Sequence, residues 1–168
     1  MLFRSAAIPP WNFPIAIPAW KIAPALAYGN TVLFKPAGAT PLTASHFVDA
    51  LVDAGLPAGV LSLVFASGPA TSAAWIESGA ADAVSFTGSE AAGRALQQVA
   101  TARHRKVQLE LGGKNAVVVA PDADIARAAE MIVRGAMASA GQKCTATSRA
   151  IAIGAALDRK STRLNSSH

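Results

Sequence analysis

The sequence holds a single cysteine, Cys144, among 168 residues. One cysteine makes no internal disulfide and no multi-cysteine zinc site, so the chain reads as cytoplasmic and its thiol as either packing or chemistry. Charge is scarce as well. Asp, Glu, Lys and Arg make up 15% of the chain against 52% hydrophobic residues, a balance that excludes disorder and requires a core. Long unbroken apolar runs are missing: the charge-free stretch 54–76 is divided by Gly55, Pro57, Gly59, Gly68 and Pro69, and residues 6–20 carry Pro9, Pro10, Pro14 and Pro18. Neither holds a continuous helix across a bilayer, and no membrane association is expected. The start is not read as a secretory signal, because Arg4 comes early and no small-residue cleavage site follows an apolar core.

Acidic residues are the scarcer sign, ten against fifteen basic ones, for a formal charge of +5 and a pI near 9.9. That excess invites a nucleic-acid reading. Three of the bases, Arg159, Lys160 and Arg163, lie in the last ten residues, RKSTRLNSSH, which are polar, aperiodic and free of acids. Without them the balance is nearly even, and no nucleic-acid partner is expected. Residues 159–168 read as a non-native-looking tail that differs in kind from the rest of the chain.

What is present is an alternation of short β-branched runs with helical segments, the pattern of a parallel sheet with crossover helices. Thr31–Lys35 reads as a strand, and Thr40-Pro41 opens a helix that Gly55 closes. Residues 60–65 form the next strand, a short helix runs through Trp75 and Ile76, residues 83–87 form a third strand, and a third helix runs from Ser89 to about Thr101. This predicts βα repeated three times. Strands at 106–110 and 116–119 flank Gly112-Gly113, Asp122 or Asp124 caps a helix running to about Ala138, and a last strand spans 147–153.

Four constellations carry chemistry-bearing residues. Prolines on both sides of Trp11-Asn12-Phe13 stiffen the turn, so that Asn12 is presented as an oxyanion donor would be, or simply caps the turn. Lys35-Pro36-Ala37 stands at a strand end, where open α/β sheets bind ligands, although a strand-end lysine can equally be solvated. Phe86-Thr87-Gly88-Ser89 enters a helix, where free N–H groups favour an anion; it is neither a Walker loop nor a Gly-x-Gly-x-x-Gly. Glu110 precedes two glycines that permit close approach of another group, and Cys144 lies beside Lys143 in a polar loop. An ordinary thiol with a pKa near ~8.5 is a few per cent thiolate at neutral pH, already a capable nucleophile.

PWNFP (10–14), KPA (35–37), FTGS (86–89), ELGGK (110–114) and GQKC (141–144), in this order and over most of residues 8–153, resemble the NAD(P)-dependent aldehyde dehydrogenase superfamily. Five motifs in register are far more specific than any one alone. The resemblance implies an α/β fold, a Rossmann-like parallel sheet with crossover helices followed by the start of the α/β catalytic domain. Residues 1–110 would be part of the NAD(P)-binding domain and 111–158 part of the catalytic domain. Cys144 would be the nucleophile that forms a thiohemiacetal and then a thioester, Asn12 with the Cys144 main-chain N–H the oxyanion site, and Glu110 the base for thioester hydrolysis. Cofactor contacts would fall to Ile8, Pro9, Pro10, Trp11, Lys35, Gly68, Gly88, Ser89 and Gly112. No metal is implied.

Many NAD-preferring members carry a Glu where this chain has Gly38, so NADP or NAD is expected with the balance towards NADP. Cys144-Thr-Ala-Thr-Ser-Arg149 resembles members that oxidise 2-oxoglutarate semialdehyde (2,5-dioxopentanoate), with succinate semialdehyde dehydrogenases as close relatives. The family's members are longer at both ends, and its later Glu-x-Phe-Gly-Pro motif is not among these residues. The expectation is therefore a piece of a longer homo-oligomeric enzyme, dimer or tetramer, acting on a small-molecule aldehyde. The alternative is a catalytically inactive truncated fragment with at most weak nucleotide binding.

Overall fold

A computed structural model of the chain describes residues 3–66 and 70–154. Gly68 and the tail at 159–168 lie outside the described residues. The chain divides into two compact units at Leu111/Gly112.

The first unit is built on a five-stranded parallel sheet. Its strands are β1 (Arg4–Ile8), β2 (Thr31–Phe34), β3 (Leu61–Leu63), β4 (Ala83–Thr87) and β5 (Lys106–Glu110), in the order β3-β2-β1-β4-β5. The helices between them are α1 (Ala16–Ala27), α2 (Pro41–Asp53), α3 (Ala70–Glu77) and α4 (Glu90–Ala102). This is a Rossmann-like α/β arrangement with crossover helices.

Alternation along the strands sends side chains to two cores. Ala6, Ile8, Val84 and Phe86 pack with Ile76 of α3 and with Leu96 and Ala100 of α4. Ala7, Val32 and Phe34 face the other way, onto Ile22 of α1 and Ala44 of α2. Phe34, Ile22 and Ile76 are fully buried, and each stabilises the unit by roughly 1.5–3 kcal/mol. β1 therefore carries a helix layer on each face, and its small residues Ala6 and Ala7 let both layers approach closely. The chain leaves β1 towards one face and β4 towards the other. A crevice opens between their carboxyl ends, at the switch point where such sheets bind ligands.

The repeat is βα four times, not three. β1 and α1 escape sequence reading for identifiable reasons. Arg4–Ile8 is Ser- and Ala-rich and weak in strand propensity, and α1 contains Pro18 and Pro24. Pro18 sits in the first turn, where its missing N–H has no intrahelical acceptor to lose. Pro24 gives up only the bond to the carbonyl of Trp20, a residue on the exposed side of the helix. The starts of α2 and α4 are capped differently. Ser89 caps α4 by accepting from the Ala92 N–H at 3.4 Å, whereas Thr40 stands at the N-cap of α2 without a side-chain cap bond and Pro41 opens the helix.

The amino end of the sheet, opposite the crevice, is tied by Asp82. It accepts from Arg4 Nε and Nη2 at 3.0 Å each and from the Arg4 N–H at 3.1 Å, and Arg105 Nη1 donates at 3.0 Å. These bonds join the starts of β1, β4 and β5. They hold the Asp82 carboxyl down at about 2, chiefly through the Arg4 hydrogen bonds. A carboxylate that is a stronger acid folded than unfolded stabilises the fold above its unfolded pKa, and loses that contribution as pH falls through the folded value. Stability therefore declines between pH ~4 and pH ~2. In Asp82→Asn the midpoint of thermal unfolding is lower at pH 7 and falls less steeply over that interval, as a pH series of calorimetric scans would measure.

The second unit holds a parallel pair, β6 (Asn115–Val119) with β7 (Thr147–Ala152), joined through α5 (Ile125–Met137) and a 3-10 turn at Ala138–Gly141. Of the two candidate caps it is Asp124 that starts α5, accepting from the N–H groups of Ala126 and Arg127. Among the described residues no helix is long and apolar enough to cross a membrane. No three His, Cys, Asp or Glu side chains among them are grouped to hold a metal.

Candidate functional site

The crevice of the first unit is a cleft of about 220 Å³. Ile8 and Pro9 enter it from the end of β1, Lys35 and Ala37 from the end of β2, Ser72 from α3, and Thr87 and Gly88 from the end of β4; Phe86 and Leu96 form its apolar floor. A Cβ at Gly88 would lie 2.6 Å from the Phe86 ring, so the ring that floors the cleft requires a residue without one. Next in the chain Ser89 caps α4, whose first-turn N–H groups and dipole favour an anion at this end.

Lys35 is only 8% exposed, and burial pushes its ammonium below the usual lysine value. Its backbone N–H continues the ladder by donating to the Ala7 carbonyl at 3.0 Å, which fixes where the side chain departs. A buried ammonium costs free energy that hydroxyl or phosphate acceptors offset. Ser72 is a second polar group in the wall, 3% exposed. Apolar floor, buried cation and helix N-terminus together fit a nucleotide, with its flat base, hydroxyls and phosphates.

Of the sequence-derived residues, Ile8, Pro9, Lys35 and Gly88 thus converge on one cleft, with Ser89 at its helix terminus. Pro10 and Trp11 follow on the loop after β1, where Trp11 is half exposed. Asn12 stands in the bend before α1 with its Oδ1 buried. Glu110 ends β5 with its side chain exposed, and its carbonyl accepts from the Gly88 N–H at 3.1 Å, which ties the ends of β4 and β5.

Gly112 and Cys144 belong to the second unit. Cys144 is exposed and follows a backbone segment held in the left-handed region: Ser139, Ala140 and Gly141 have φ of 56°, 55° and 72°. For the two non-glycine residues this costs about 1–2 kcal/mol each, and such strain gathers at functional loops. Asn115 pins the loop from β6, its Nδ2 donating to the Cys144 carbonyl at 2.6 Å and to the Ala146 carbonyl at 3.3 Å. The thiol is thus carried on an anchored backbone while its side chain stays open.

Sequence reading missed a polar chain on the opposite face of the first unit's sheet. Lys21 Nζ donates to Ser85 Oγ at 2.7 Å, Ser85 Oγ donates to Gln108 Oε1 at 2.5 Å, and Gln108 Nε2 donates to Glu110 Oε1 at 3.3 Å. Lys21, Ser85 and Gln108 line a larger cavity of about 330 Å³ beside α1, which lies against the middle of the strands and not at their carboxyl ends. The signal available was the alternation in residues 83–87 and 106–110, which puts Ser85, Gln108 and Glu110 on one face once β4 and β5 are set in register.

A family model described as the aldehyde dehydrogenase family matches residues 4–166. The alpha-ketoglutaric semialdehyde dehydrogenase of Bacillus subtilis (strain 168) is 54% identical over 144 residues, 86% of this chain and 30% of that protein. The alpha-ketoglutarate semialdehyde dehydrogenase of Haloferax volcanii is 49% identical over 147 residues, 88% of this chain and 30% of that protein. Among solved structures, an NADP dependent enzyme of E. coli superposes with a TM-score of 0.88 at 37% identity, covering 97% of this chain and 34% of that one. The chain spans about 30% of the length of the curated relatives it matches.

Proposed function

Because the chain belongs to the aldehyde dehydrogenase family, we propose that the full-length enzyme carrying these residues oxidises an aldehyde to a carboxylic acid with NAD(P)+. The proposed substrate is 2,5-dioxopentanoate and the favoured acceptor NADP+. The observation that carries the reading is the cleft at the switch point, where the buried ammonium of Lys35, the N-terminus of α4 and an apolar floor meet. Names of relatives support the substrate: two of them act on alpha-ketoglutarate semialdehyde by name, the same compound. The name of the E. coli structure supports NADP.

In this reading Lys35 holds the ribose side of the dinucleotide, Gly88, Ser89 and the first turn of α4 hold its phosphates, and Ile8, Pro9, Pro10 and Trp11 line its path. Gly68 belongs to the same set, and Gly112 leaves room beside the nicotinamide. When bound, the cofactor supplies the acceptor for the aldehyde's hydride.

The chain's own residues do the rest. Cys144 Sγ, as thiolate, bonds to the carbonyl carbon, while the Cys144 N–H and the Asn12 amide donate to the oxygen as it gains charge. Glu110 takes a proton from the water that attacks the resulting thioester. The C–S bond breaks, the acid leaves, and the thiolate is restored. A nucleophilic thiol must stay reduced, which suits a cytoplasmic location. A homo-oligomeric parent, dimer or tetramer, is part of the same reading, with residues 1–110 in its cofactor domain and 111–158 in its catalytic domain.

The cofactor preference has a direct test. Gly38 has open space around its Cβ direction and no left-handed φ, so a glutamate fits there without strain. Gly38→Glu places a carboxylate near the group Lys35 serves. Like charges brought together cost several kcal/mol, so kcat/KM for NADP+ falls by about tenfold or more while that for NAD+ is kept or rises. Steady-state kinetics of the full-length enzyme with 2,5-dioxopentanoate measures both. Strong NAD+ preference in the unmodified enzyme, or no change on substitution, would contradict the reading.

A further inference from the structure

We infer that Gln108 is a positioning residue that holds the Glu110 carboxylate in its working orientation, with Ser85 fixing the amide of Gln108. This rests on the reading of Glu110 as the base of thioester hydrolysis. An ammonium has donors and no acceptor, so Ser85 Oγ must accept from Lys21 at 2.7 Å. The hydroxyl hydrogen of Ser85 is then directed to the acceptor at 2.5 Å, Gln108 Oε1. With its oxygen committed, the Gln108 amide turns its NH₂ towards Glu110 Oε1, at 3.3 Å. The flipped amide would set oxygen against carboxylate and leave the Ser85 hydrogen facing a donor.

Every bond in the chain therefore points from cation to anion, the arrangement in which neighbouring hydrogen bonds polarise one another. The fold supplies the spacing. β4 and β5 pair Ser85 with Gln108 and Thr87 with Glu110, and Gln108 and Glu110, two apart on one strand, share a face. Lys21 also senses the far end of the chain: burial lowers its pKa, and the charge of Glu110 opposes that shift.

Gln108 acts through Glu110, so the test separates the two half-reactions in the full-length enzyme. Gln108→Met keeps length and volume but has no donor. Rapid mixing with 2,5-dioxopentanoate and NADP+ reads formation of reduced cofactor in the first turnover, and quenched samples read decay of the acyl-enzyme by mass spectrometry. A lost hydrogen bond to a charged group corresponds to a decay about tenfold slower or more, with the first-turnover rate and the NADP+ KM unchanged. Ser85→Ala leaves the donor in place but frees the amide to turn, and slows decay by a smaller factor.

Glu110→Gln is run alongside. If its acyl-enzyme decays slowly while that of Gln108→Met decays at the wild-type rate, the inference is overturned and the base reading stands. If Glu110→Gln itself decays at the wild-type rate, the base reading falls and the inference with it. Equal losses in both half-reactions of Gln108→Met would show a general structural defect and also overturn it.

Discussion

Replacing Cys144 by alanine in the full-length enzyme lowers kcat for aldehyde oxidation by about 10⁴-fold or more, while the affinity for NADP+ changes by less than about twofold. Two features make this outcome sharp. No second thiol lies beside the first in its loop, residues 138–147. The loop, moreover, does not depend on the side chain being replaced. Asn115 holds the Cys144 carbonyl at 2.6 Å, the Lys143 carbonyl accepts from the Ala146 N–H at 3.1 Å, and the exposed thiol fills no core. Alanine therefore removes the nucleophile and leaves its backbone standing. The proposed cofactor cleft lies in the first unit, where Ile8, Pro9, Lys35 and Gly88 are untouched by the change. Isothermal titration with NADP+ beside a turnover assay would separate binding from chemistry. An active alanine variant would remove Cys144 from the mechanism.

Glu110→Gln has the second-largest expected effect, and on a different half of the reaction. Loss of a general base typically costs about 10²–10⁴-fold in the step it serves. The step here is hydrolysis of the thioester, so the first turnover still yields about one equivalent of reduced cofactor per active site and later turnovers are slow. Structurally the change is mild: Glu110 is exposed at the end of β5, and the bond that ties its strand to β4 is made by its backbone carbonyl with the Gly88 N–H. Stopped-flow absorbance of the reduced cofactor shows a burst followed by a slow phase. A steady-state rate equal to wild type would refute the assignment.

Much of this was legible in the residues themselves. Lys35, Gly88 and Glu110 could be placed at strand ends, because period-two runs that stop at Lys-Pro, Gly-Ser or Gly-Gly end a strand and expose the residues beyond it. The folded chain puts the first two on one cleft and the third at the end of β5. A helix start at Ser89 and a cap at Asp122 or Asp124 are readable from their positions before apolar helical repeats, whereas the choice of Asp124 over Asp122 comes only with the fold. What was not legible depends on information the local sequence does not carry. The β1 and α1 elements are masked by alanines and by prolines that read as breakers, yet Pro18 falls where a helix tolerates it. The hold of Asn115 on Cys144 spans 29 residues. The chain from Lys21 to Glu110 likewise needs α1, β4 and β5 in register before its partners are neighbours. Ser85 and Gln108 each look like ordinary polar strand residues until that register is known.

The most direct test of the account is to identify the atom that carries the substrate. Full-length Glu110→Gln enzyme mixed with 2,5-dioxopentanoate and NADP+, quenched in acid after the burst, digested and examined by mass spectrometry, should carry one acyl group on the peptide containing Cys144. It should be released by hydroxylamine, as a thioester is, and be absent when NADP+ is omitted. An acyl group on any other residue, or none on Cys144 despite a full burst of reduced cofactor, would contradict the account.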